Sequence, residues 1–85
     1  MANKSDLKNW LIDALNDLGG EAHHVDLAKQ IWAKHRGLLE ASGDLFYTWQ
    51  YDLRWAADSL RREGQLQPKP RGDQGPWRLA ERSRT

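Results

Sequence analysis

The chain contains no cysteine among its 85 residues. This excludes disulfides, thiolate nucleophiles and any cysteine-bound zinc, and it fits a reducing cytoplasm. Long apolar runs are also missing. Nothing approaches the roughly 20 residues of a membrane span, and the N-terminal MANKSDLK lacks the apolar stretch of a secretory signal. A cytoplasmic protein with no membrane partner is expected. There is no phosphate-cradling glycine-rich loop and no nucleophile with an evident base, so enzymatic activity is not expected. His23, His24 and His35 match no HxxxH or HExxH spacing, and no carboxylate or thiol completes a ligand set. No metal or other cofactor is expected.

Tryptophan is in excess. The five Trp residues can each bury about 150–250 Å², supplying core volume that a single small domain otherwise lacks. Charge is unevenly spread beneath a net value of +1. Residues 1–60 hold six Lys or Arg against nine Asp or Glu, whereas residues 61–85 hold seven against three. Either a basic C-terminal surface faces a polyanion, or the excess belongs to an ordinary solvated surface.

One domain is expected over residues 1–85, ordered from about 5 to 80, with a polar tail at 81–85. Leu7, Trp10, Leu11, Ala14, Leu15 and Leu18 recur at helical spacing after Ser5, a good N-cap, and before Gly19 and Gly20, which stop the helix. Ile12 stands off that stripe and marks a possible homodimer patch, while Asp13 and Asp17 read as a solvated face. Residues 21–24 are long enough for one short strand added to a later sheet. A second helix is predicted over 25–36, extensible to Glu40 across Gly37, with Val25, Ala28, Ile31, Trp32, His35 and Leu39 on one side. His35 is expected as a partly buried, hydrogen-bonded core residue.

The chain is organised around WQYDLRWAADSLRREG, residues 49–64. At about 100° per residue, Trp49, Leu53, Ala56, Ala57 and Leu60 share one arc, and Tyr51, Arg54, Asp58, Arg61 and Arg62 lie opposite. The helix is predicted to start between Asp44 and Thr48, capped by Thr48 or Ser42, and to run to Glu63 before Gly64. Beyond it, residues 65–67 and 77–79 alternate polar and apolar, as strands of a hairpin do, around a Pro-rich basic loop at 68–76.

Helix, short strand, helix, helix and hairpin is the order of a winged helix-turn-helix, an α+β fold whose third helix enters a DNA groove. RWAADSLRREGQL followed by GPWRLAE resembles the N-terminal winged-helix domain of Mrr-type restriction proteins. The similarity rests on Arg54, Trp55, Ala56, Leu60, Arg61, Arg62, Gly64, Trp77, Arg78 and Leu79, and is weaker from Leu7 to Ile31. The resemblance implies DNA binding beside a nuclease domain. These 85 residues hold no nuclease, so the domain is expected to work alone, with a separate nuclease or other protein partner, or as a piece of a larger protein.

Double-stranded DNA is the expected partner, which would place the protein on the nucleoid. Gln50, Tyr51 and Arg54 are the base-edge candidates, since Gln pairs with adenine and Arg with guanine through two hydrogen bonds. Lys69, Arg71 and Arg78 on the hairpin, with Arg61 and Arg62 at the helix end, are the phosphate candidates. Asp58 opposes phosphate on that face and has Arg54 as an i,i+4 partner. Trp55 lies off the apolar arc; it either packs under the hairpin near Trp77 or stacks on an unpaired base. The alternative is a protein-interaction or dimerisation adaptor, in keeping with the modest net charge and the acidic first two helices.

Overall fold

In the computed structural model, which describes residues 5–68 and 75–80, three helices precede a small antiparallel sheet. The order is α1 (Asp6–Asp17), β1 (Glu21–Ala22), α2 (His24–Glu40), α3 (Leu45–Arg62) and β2 (Trp77–Arg78). This is an α+β domain, compatible with the layout of a winged helix.

α1 buries Leu7, Leu11, Ala14 and Leu15, the 3.6-residue stripe expected of it. Leu18 does not join them. As the residue after the helix it turns outward and is exposed, and Gly19 and Gly20 then adopt φ of 88° and 96°. Ser5 precedes α1 with helical φ/ψ and makes no side-chain cap bond, in contrast to its expected role. Ile12 is half-buried against the core, which leaves little of it for a dimer patch.

α2 runs through to Glu40, and its irregularity falls at His35 (φ −125°, ψ 16°), not at Gly37. The buried face is Leu27, Ile31 and Leu39. Val25, expected in the stripe, is 50% exposed, and Leu27, outside the expected stripe, is fully buried. α2 is thus rolled about its axis relative to the sequence expectation, which turns Ala28 and Trp32 to the flank of the core.

α3 begins at Leu45, inside the expected window. Neither predicted cap acts: Thr48 lies within the helix and donates from Oγ1 to Asp52 Oδ2 at 2.8 Å, while Ser42 Oγ donates to the Leu38 carbonyl. Phe46 and Tyr47 are therefore helical. The predicted inner arc of Trp49, Leu53, Ala56, Ala57 and Leu60 is buried in full, joined by Leu45. Gly64 ends the helix at φ 80°.

β1 pairs with β2, Glu21 opposite Arg78 and Ala22 opposite Trp77. On its other side the same segment meets residues 65–67: Leu66 bridges Leu79, Gln67 N–H donates to the Arg78 carbonyl and Ala80 N–H to the Gln65 carbonyl, both at 2.9 Å. Residues 77–80 thus run between the two flanking stretches. Alternation holds as predicted, with Trp77 and Leu79 buried and Arg78 exposed. The core is one cluster drawing on all three helices and on Leu66, Trp77 and Leu79.

Candidate nucleic-acid interface

α3 presents its outer face because its inner one is fully committed to the core. Gln50, Tyr51 and Arg54 stand exposed around the middle of the helix, with Tyr51 78% and Tyr47 82% accessible. Arg62 is exposed near the C-terminal end of the same helix. Lys69 and Arg71, the other expected wing cations, lie outside the described residues.

The acidic interruption of this face is compensated, though not by the expected partner. Asp58 accepts from Arg61 Nη1 at 2.9 Å, an i,i+3 pair, which leaves Arg54 with no carboxylate partner among the described residues. Arg61 is held from a second side as well, its guanidinium carbon 5.5 Å from the centre of the Trp77 ring. Its side chain is only 19% exposed, and Nε is buried with no hydrogen-bond partner among the described residues. Arg61 therefore fastens α3 to β2. Arg78, the remaining described wing cation, donates from Nε to Glu21 Oε2 at 2.6 Å across the strand pair.

Trp55 is half-buried and packed against the core. Trp77 meets His24 as well as Arg61, its ring centre 5.9 Å from the imidazole. Besides exposed Tyr47 and Tyr51, an aromatic cluster lies between α2 and α3. Trp32 stacks against Trp49 with ring centres 6.1 Å apart and planes within 8°, and Phe46 tilts onto Trp32 at 6.3 Å. Together with Ala28, Val25 and Trp77 these rings line an open groove of about 690 Å³. Lys29, Gln50, Tyr51 and Arg54 stand on its lining, so the groove continues into the exposed half of α3. Of the two roles expected for Trp55, packing or base stacking, its half-buried place against the core fits packing; Trp32, expected on the α2 stripe, lines the groove instead.

The remaining charges form clasps. Lys34 Nζ donates to Asp13 Oδ2 at 2.9 Å and Asp17 Oδ2 at 2.7 Å, tying α2 to α1. Hydrogen bonds from Lys34 and then Gln30 hold the Asp17 carboxyl below its ordinary pKa, and the bonds to Asp17 and then Asp13 raise Lys34. The Asp13/Asp17 pair, expected as a solvated face, is exposed and in addition pairs with α2 through Lys34. Lys8 pairs with Glu63, and that bond, with a second from Ser59, lowers the Glu63 carboxyl. Among the described residues, no group of three or more His, Asp or Glu side chains is placed to hold a metal, and no helix is long and apolar enough to cross a membrane.

No protein-family model matches the chain, and neither a curated protein nor a solved structure gives a significant match.

Proposed function

We propose that the domain is a non-enzymatic, winged-helix module for double-stranded DNA, with α3 as the groove reader and the loop of residues 68–76 as a basic wing on phosphate. The observation that carries this is the pairing of Asp58 with Arg61, which leaves Arg54 without an ion-pair partner among the described residues beside exposed Gln50 and Tyr51. Three polar side chains on adjacent turns of an otherwise anchored helix suit base edges in a major groove. Arg62 and Lys29 are exposed cations with no carboxylate partner among the described residues, and they suit phosphate. Arg78 reaches phosphate by exchanging its Glu21 partner, a small cost because both side chains are more than half exposed. The resemblance to the N-terminal domains of Mrr-type restriction proteins points to the same partner. The test is titration of labelled duplex DNA across salt concentrations: saturable, salt-sensitive binding is expected.

A second reading, a protein-interaction adaptor, draws on the same helix. Tyr47 and Tyr51 are both exposed, and tyrosine is enriched in protein interfaces. Under that reading the Tyr47→Ala, Tyr51→Ala double variant loses a protein partner and keeps whatever affinity for duplex DNA the parent has.

A further inference from the structure

The α2–α3 groove opens beside the reader helix and shares Gln50, Tyr51 and Arg54 with it, while its aromatic side has no part in reading paired bases. Its volume of about 690 Å³ falls within the usual range of about 300–1,000 Å³ for small-ligand sites. Its apolar side is largely aromatic. Trp32 is half-buried: Trp49 braces its inner face, Phe46 tilts against it, and the exposed Arg36 guanidinium lies over the ring, 5.4 Å from its centre, as the group an entering base would displace. Its polar side carries Lys29 and Arg54, neither with a carboxylate partner among the described residues, together with the amide of Gln50. Among the described residues, no aspartate or glutamate lines it.

A ligand complementary to this lining has a flat ring to stack and an anionic group to meet a cation. A nucleotide combines both, and its base edge carries the donors and acceptors that a glutamine amide matches. We propose that the groove is a binding site for one unpaired nucleobase, stacked on Trp32 in place of the Arg36 guanidinium, with its flanking phosphate held by Lys29. This inference rests on the DNA reading above and deepens it: α3 engages the duplex while a base that has left the helix enters the groove alongside. The base must already be unpaired or be cheap to extrude, so mismatched, bulged or single-stranded positions are the favoured substrates. Tyr51 stands at the groove's edge, placed to cover the entering base.

The experiment compares two labelled duplexes of the same sequence, one fully paired and one carrying a single unpaired 2-aminopurine. Anisotropy gives the affinities and the 2-aminopurine emission reports stacking. The bulged duplex is expected to bind about tenfold tighter, as stacking of one base on an aromatic ring implies, with its emission quenched on binding. Trp32→Ala and Ala28→Leu should both abolish the preference and the quenching. Ala28→Leu narrows the groove from a half-buried helical position with a residue of high helix propensity, so it keeps the test decisive if loss of Trp32 impairs folding.

Equal affinities with unquenched emission would overturn the groove assignment and leave the duplex reading intact. Failure to bind either duplex would overturn both. A concentration-dependent dimer that dissociates on Ala28→Leu would place a second copy of the chain in the groove and overturn the nucleobase as its occupant.

Discussion

The indole of Trp10 lies flat on the imidazole of His35, with ring centres 4.1 Å apart and planes within 6°. This contact joins α1 to α2 at the residue where α2 departs from helical geometry. His35 Nε2 is buried and has no hydrogen-bond partner among the described residues, so the ring is held by stacking.

Burial keeps the His35 imidazole below its ordinary pKa; the Lys34 charge adds to this and Asp13 opposes it. The unfolded chain takes up the proton first as pH falls, near the ordinary histidine value of about 6.5. The stability His35 contributes is thus complete above that pH and is lost as pH falls toward the folded value. Asp17 and Glu63, both lowered, keep their contributions until pH falls through the usual carboxylate range. Urea midpoints should decline between about pH 7 and pH 5, and the part due to His35 should vanish in His35→Phe, which preserves a ring on Trp10. An equal decline in the variant would contradict this.

Arg61 and Arg62 are neighbours in sequence with different surroundings. Arg61→Ala removes the contact over Trp77 and the pair with Asp58, and should cost about 1–2 kcal/mol of stability by denaturant melting. Arg62→Ala should leave the melt within about 0.5 kcal/mol and weaken DNA binding instead. Arg61→Ala also frees Asp58 on the reader face, so its affinity should fall further than its stability loss explains.

Two glycines should respond in opposite directions. Gly37 sits inside α2 with open space where a Cβ would be placed, so Gly37→Ala should stabilise the fold by about 0.5–1 kcal/mol. Gly19 also has open space, but its φ is 88°. Gly19→Ala should therefore destabilise by about 1–2 kcal/mol through backbone strain alone. Thermal melts of the two single variants decide both signs.

The α3 core face was fully legible in the sequence, because Trp49, Leu53, Ala56, Ala57 and Leu60 keep an unbroken helical period and each is buried. The alternation of Trp77, Arg78 and Leu79 was legible for the same local reason. α2 was legible in extent but not in rotation: Val25 and Leu27 are both apolar, and only packing against the other helices decides that Leu27 goes inside. Distant pairings left no local trace. Glu21 with Arg78, and Trp77 with Arg61 and His24, join residues from separate elements, and they determine which cations are engaged. Helical spacing places Arg54, Arg61 and Arg62 at i−4, i+3 and i+4 of Asp58, and in the fold it is Arg61, also held over Trp77, that pairs with it.

Arg54 carries the central claim, and the direct measurement is anisotropy of a labelled DNA duplex titrated with the parent protein and with Arg54→Ala, from about 50 to 200 mM salt. Saturable binding by the parent is expected, weakening steeply with salt. Arg54→Ala should lose about 1–3 kcal/mol of affinity for a duplex whose preferred base it reads, with a melt unchanged from the parent. No binding by the parent at tens of micromolar protein in low salt, or an Arg54→Ala variant that binds as tightly as the parent, would contradict the account.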